Sequence, residues 1–196
     1  MQKIEIEKEY FEKMKKFAVF IPIIEVDGKD HILFEVRSNK VSQPGDVSFP
    51  GGHVEMNESF TECAKRELKE ELCLNDSDFT LIGFSSVRLD YSNRILKSYY
   101  GRIHKNLEDI EFNEEVEEIF VISIDYLKKS SPEMYECELK AILPKNFPYD
   151  RIKKGKGYNF SRGIHKIYFY DTKPVIWGIT AGFLKEFIES KKWELQ

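Results

Sequence analysis

The stretch GHVEMNESFTECAKRELKEELCL, residues 52–74, opens as a glycine turn and continues as a helix crowded with carboxylates. From 58 to 72 it is rich in Glu, Lys, Leu and Ala, all good helix formers. Ser59 followed by Glu62 has capping-box spacing, and Asn57 is a second candidate cap. At about 100° per residue, with Ala64 set at zero, Leu68 and Leu72 fall near +40° and +80° and define the buried stripe. On the same scale Glu71 lies near −20°, Glu67 near −60° and Glu70 near −120°. Glu71 therefore points almost into the core and Glu67 borders it. Arg66 lies on another arc, from which it is expected to serve Glu70 alone.

A buried carboxylate costs several kcal/mol unless it is paired or bound to a metal. The simplest account is a divalent cation held by these oxygens, of the Mg²⁺ or Mn²⁺ kind. A solvated charged face competes with that reading for an isolated Glu-x-x-Glu-Glu. The residues just before the helix favour the cation. FPGG, 49–52, is a tight turn whose glycines let backbone approach a ligand closely. A helix N-terminus nearby suits phosphate oxygens, and phosphate beside carboxylates needs a metal between them.

The rest of the chain sets bounds. Its 196 residues suit one domain over 1–196, which can bury about 70% of its unfolded surface. A net charge of −4 gives no general support for nucleic-acid or membrane binding. The longest apolar run near the start, FAVFIPII at 17–24, is far below the roughly 20 residues of a membrane span. Cys63, Cys73 and Cys137 are odd in number and lack C-x-x-C spacing, which places reduced thiols in the cytoplasm. Cys63 and Cys73 are expected to pack. The four histidines form no zinc motif.

Strands are expected over 16–24, 31–38, 47–52, 79–91, 96–104, 119–124 and 165–172, with an Asp27-Gly28 hairpin turn. Pro22 suggests an edge or a bulge in the first. Short helices are expected over 2–15 and near Asp125, a closing helix over about 175–193, and loop over 131–163. Dominant strands with two clear helices point to an α/β fold, a mixed sheet with helices on its faces.

Residues 52–74 resemble the Nudix box, G-x5-E-x7-R-E-U-x-E-E-x-G-U, where U is bulky and aliphatic. Gly52, Glu58, Arg66, Glu67, Leu68, Glu70, Glu71 and Leu74 fall in register. Cys73 stands where the family has glycine, at a left-handed helix end, with Asn75 as a substitute terminator. The resemblance implies a Nudix-type α/β/α sandwich with a mixed central sheet. It implies catalytic and Mg²⁺- or Mn²⁺-binding roles for Glu67, Glu70 and Glu71, with the Gly51 carbonyl as a further ligand. Glu67 would also orient or deprotonate the attacking water, and Glu58 and Arg66 would form a structural pair. A carboxylate outside the box is expected to assist, with Glu114, Glu115, Glu117 and Glu118 as candidates.

The stretch LFEVRSNKVSQPGDVSFPGG, 33–52, resembles one branch, the coenzyme A pyrophosphatases, through Arg37-Ser38, Gly45 and Phe49 to Gly52. Its Ser38–Gly45 spacing is one residue short, and Ser42 replaces a basic residue. NFPYD, 146–150, and VIWGITAGFLKEFIE, 175–189, resemble that branch's C-terminal segment, with Trp177 expected as a core anchor. The implied reaction splits coenzyme A or acyl-CoA into 4′-phosphopantetheine and adenosine 3′,5′-bisphosphate. Arg37, Ser38, Lys40 and Gly52 are the candidate substrate contacts. Arg88, Arg94, His53 and the basic run 151–160 with Tyr158 and Phe160 are weaker ones. The alternatives are hydrolysis of ADP-ribose or an NADH-like dinucleotide, and a non-catalytic nucleotide sensor. The expected partner is a small molecule, with no nucleic acid and no membrane, for a monomer or homodimer.

Overall fold

Asp27 and Gly28 both take positive φ, 52° and 70°, and reverse the chain between β1 (Lys15–Val26) and β2 (Lys29–Arg37). The structure is a computed structural model that describes residues 12–195; the helix expected over 2–15 falls almost entirely outside them. β1 and β2 pair antiparallel only from Ile23–Ile32 to Val26–Lys29. Beyond that they separate, and the segment 47–53 fills the wedge. In place of the single strand expected over 47–52 there are two short ones. β3 (Val47–Ser48) pairs with β2 at Glu35 and Val36, and β4 (Gly51–His53) pairs with β1 at Phe17 to Val19.

Pro22 sits where β1 changes partner from β4 to β2. It is thus in an interior strand rather than at an edge or a bulge. It is tolerated because that stretch of β1 has no ladder partner on the wedge side needing its absent N–H.

The outer pairings extend the sheet on both sides, with register shifts at Val36–Arg37 and in β5. β7 (Val116–Ser123) runs antiparallel on β2, β6 (Arg94–Ile103) parallel on β1, and β5 (Phe79–Asp90) antiparallel on β6. Because side chains alternate along a strand, the sheet has two apolar faces. Ala18, Phe20, Ile24 and Leu33 pack with Cys63, Ala64, Leu68 and Leu72 of α1 (Phe60–Glu71). Ile21, Ile23, Ile32 and Phe34 pack with Leu127 of α2 (Ile124–Lys129) and with Phe183, Leu184 and Phe187 of α3 (Gly178–Ser190). The result is a mixed central sheet between helix layers. Each fully buried Leu or Phe here contributes about 2–3 kcal/mol.

A second, antiparallel sheet joins β8 (Glu133–Leu139), β9 (Gly163–Tyr170) and β10 (Ile176–Trp177). β8 corrects the loop expected over 131–163. Its residues are exposed on both faces except at the end, so no apolar alternation marks it. The closing helix begins only at Gly178, whose φ of 64° bends the chain out of β10. It ends before Lys191, which takes the left-handed conformation. Trp177 is not a core anchor. It is 40% exposed, stacks on Phe169 at 5.7 Å and donates from Nε1 to Asp46 Oδ1 at 3.2 Å. Among the described residues no helix is long and apolar enough to cross a membrane.

Candidate active site

α1 is fixed at both ends. Ser59 Oγ accepts from the Glu62 amide and Glu62 Oε2 accepts from the Ser59 amide, closing the capping box. At the other end Cys73, with φ of 47°, itself supplies the left-handed residue, and Leu74 N–H donates to Lys69 O at 3.1 Å. Asn75 is not the terminator; its amide donates to Asp78. Cys73 is exposed, against the packing expected of it, so its side chain offers little to offset the strain. Cys73→Gly is therefore expected to stabilise the fold by about 0.5–1 kcal/mol. In a chain of this size that is a rise in Tm of roughly 1–4 °C, measurable by calorimetry.

The capped helix presents its carboxylates to the wedge in graded depth. Glu71 is 4% exposed, and the side chains of Glu67 and Glu70 are 15% and 55% exposed. Gly51 N–H donates to Glu71 Oε2 at 2.8 Å. Gly52 lies so close to Glu67 that a Cβ there would come within 2.3 Å of Oε1. Arg66 reaches more than Glu70. Its Nη1 is 2.8 Å from Glu67 Oε1 and 2.9 Å from Glu70 Oε2, and its Nε is 2.8 Å from Glu58 Oε1. Arg66 Nη2 also donates to His53 O at 3.2 Å. A long guanidinium spans arcs that Cα angles alone keep apart. Through Glu58 and His53 it ties the loop after β4 to the helix.

One further carboxylate belongs to this wedge. Glu35 of β2 is 1% exposed; its Oε1 accepts from Ser48 Oγ at 2.9 Å, and its Oε2 has no hydrogen-bond partner among the described residues. The sequence carried a signal for it, a carboxylate inside the apolar run ILFEV. Burial pushes the Glu71 carboxyl well above its ordinary range, the charge of Glu35 adds to that, and the Gly51 amide opposes it. Burial likewise pushes Glu35 up, opposed by Ser48 and the charge of Arg37. Glu67 is raised by burial against the pull of Arg66, whereas the hydrogen bond from Arg66 lowers Glu58.

The sign of the linkage follows. In the metal-free protein Glu71, Glu35 and Glu67, all raised, hold protons that the unfolded chain has released above about pH 4.5. Stability is therefore greatest near the unfolded carboxylate range and falls as pH rises until the groups ionise. Metal-free Tm is expected to drop from about pH 5.5 to about pH 8.5, with Mg²⁺ restoring more of it at the higher pH, where no proton competes. A Tm and a Mg²⁺ increment that stay flat over that range would contradict this.

Cys63 packs as expected: it is fully buried, its Sγ donates to Gly52 O at 3.6 Å, and burial pushes the thiol up to about 12. Of the outside carboxylates, the charge of Glu115 acts on both Glu35 and Glu67, while Glu114 pairs with Lys40. Glu118 lies opposite Val36, on the α3 face. Arg37, Ser38 and Lys40 share the loop that leaves β2. Arg37 Nε donates to Ser42 O, and Ser38 Oγ is committed to Glu114 O. Arg88 is engaged by Glu186 and Arg94 by Asp90. His53 packs edge-on to Phe17. In the basic run, Phe160 packs against Phe147 and Tyr158.

A family model described as NUDIX domain matches residues 14–142, which contain the whole wedge. The chain belongs to the Nudix domain family. Nudix hydrolase 3 of Caenorhabditis elegans is 35% identical over 86% of this chain and 70% of its own length. Peroxisomal coenzyme A diphosphatase NUDT7 of Mus musculus is 29% identical over 57% of this chain, and the match spans only 48% of the mouse protein. The crystal structure of a C. elegans Ap4A hydrolase complex aligns at 20% identity over 59% of this chain and 84% of that one, with a TM-score of 0.49.

A divalent cation is the cofactor such a Nudix site implies, and the donor set fits one. Glu71 and Glu35 are buried without an ion pair among the described contacts, one of their oxygens is unpartnered, and Gly52 keeps open the space beside Glu67. Hard oxygen donors of this charge suit Mg²⁺ or Mn²⁺. Among the described residues no three His, Cys, Asp or Glu side chains already form a cage. Glu67 and Glu70 rest on Arg66, and binding would draw them from it.

Proposed function

We propose that this Nudix domain hydrolyses the diphosphate linkage of a nucleoside diphosphate derivative, with coenzyme A or an acyl-CoA as substrate. The products would be 4′-phosphopantetheine, free or acylated, and adenosine 3′,5′-bisphosphate. The observation that carries the reading is the set of buried carboxylates converging on the Gly51-Gly52 turn with too little positive charge to match it. Bound there, Mg²⁺ or Mn²⁺ would offset diphosphate charge and acidify a water. Glu67, Glu70, Glu71 and the Gly51 carbonyl would hold the ion. Glu67 would orient the attacking water, with Arg66 and Glu58 setting its position.

The coenzyme A assignment draws on Arg37-Ser38, Gly45 and the FPGG turn, and on the similarity to the mouse diphosphatase. Arg37 and Lys40, the cations nearest the upstream motif, are the candidates to meet a 3′-phosphate, Arg37 by the planar fork that suits phosphate oxygens. Three unpaired thiols suit a reducing compartment such as the cytoplasm. The test is a panel of coenzyme A, acyl-CoA, ADP-ribose and NADH with Mg²⁺ or Mn²⁺, read by product mass. Adenosine 3′,5′-bisphosphate from coenzyme A is the expected result. Intact coenzyme A alongside cleaved ADP-ribose or NADH would move the assignment to those dinucleotides, and no turnover of any of them would favour a nucleotide sensor.

A further inference from the structure

Glu35 is the most buried carboxylate of the chain's described residues that lacks a cationic partner, and no box position accounts for it. Three observations locate it. First, Leu33 packs against α1, so alternation along β2 puts Glu35, two residues on, over the same face of the sheet as α1. Ile119, its cross-strand neighbour on β7, packs against that same cluster. Second, Ser48 Oγ, from the wedge strand β3, holds Oε1 at 2.9 Å, and three residues further on Gly51 N–H holds Glu71 Oε2 at 2.8 Å. One short segment thus braces a carboxylate from the sheet and one from the helix. Third, Oε2 of Glu35 is buried with nothing to accept from among the described residues, and Arg37, the cation whose field reaches it, is tied by Nε to Ser42 O. Leaving such an oxygen unsatisfied forfeits its hydration with nothing in return, and more so when the group is charged.

We infer that Glu35 is a fourth carboxylate of the cation site, reaching the ion from the sheet side opposite Glu71, with Ser48 as its positioning residue. This rests on the cation-dependent reading of the Nudix site proposed above. The alternative use of Glu35 is as a neutral carboxyl buried beside Glu71, and glutamine separates the two. Glu35→Gln keeps shape and neutral hydrogen bonding but removes the anionic ligand.

The experiment is a Mn²⁺ titration of wild type, Glu35→Gln, Ser48→Ala and Glu71→Gln, followed by the electron paramagnetic resonance signal of free Mn²⁺, with circular dichroism of each metal-free protein as the folding check. Glu35→Gln is expected to lose at least about 10-fold in Mn²⁺ affinity, or one bound ion, while remaining folded. Ser48→Ala is expected to weaken binding by about 10-fold, the lower range for an outer-shell partner, and carries the test if Glu35→Gln does not fold. Wild-type Mn²⁺ binding by both Glu35→Gln and Ser48→Ala, with Glu71→Gln impaired, would overturn the role of Glu35 and leave the proposed function standing. Unchanged binding in all three variants would overturn the cation site itself.

Discussion

Glu71→Gln should abolish nearly all hydrolysis while leaving a protein that folds at least as well as wild type without metal. The two halves have one cause. Glu71 is almost wholly buried, and among the described residues its carboxylate accepts only from the Gly51 amide. A glutamine oxygen can accept the same bond, so the contact survives, while the cost of burying a charge disappears. The loss falls on the ion instead. A direct ligand should matter more than an outer-shell partner, whose removal costs 10–100-fold, so at least about 100-fold in activity is expected. Metal-free Tm above about pH 8 should rise or hold, because the ionisation that destabilises the wild type there is removed. Turnover within a few-fold of wild type, or collapse of the metal-free fold, would contradict the assignment of Glu71 as a ligand rather than a scaffold group.

Gly52→Ala is expected to cost activity on the same scale with little loss of stability, and Gly51→Ala the reverse order of effects. A methyl at Gly52 meets the far end of one flexible side chain, the Glu67 carboxylate at 2.3 Å from Oε1. Glu67 can swing aside, so the fold survives, but the group that would orient water is displaced. A shift of about 1 Å in such a group can cost roughly 100-fold. A methyl at Gly51 meets the backbone of β1, 2.5 Å from Ala18 O and 2.8 Å from Val19 Cα. The buried strand cannot give, and overpacking of this kind typically costs about 1–3 kcal/mol. Chemical denaturation and kcat measured on both variants separate the cases. Equal stability losses at the two glycines would remove the distinction.

Much of this was readable from residues. Helix α1 was legible because composition, capping box and apolar stripe all agreed, and its periodicity ranked the burial of Glu71, Glu67 and Glu70 in the order observed. The Asp27-Gly28 hairpin was legible because few turns accept positive φ at two successive residues. β8 was not, since EMYECEL is exposed on both sides and its strand character comes only from pairing with β9. The triple reach of Arg66 was hidden because a helical wheel places Cα atoms, not guanidinium tips. Glu35 stood in plain view in an apolar strand, yet its pairing with Ser48 depends on the parting of β1 from β2, which no local pattern announces. Trp177 was misread for a related reason: its partner Asp46 lies 131 positions away in sequence.

That last contact has a bearing on how the chain can be cut. The family match stops at residue 142, but the face of the central sheet that carries Phe34 and Ile32 is roofed by Phe183, Leu184 and Phe187. The hydrogen bond from Trp177 to Asp46 then moors the roof to the turn leading into the box. Trimming to the matched segment would strip one side of the sheet and slacken the approach to the wedge in the same stroke, so the smallest piece that works is larger than the piece that is recognised.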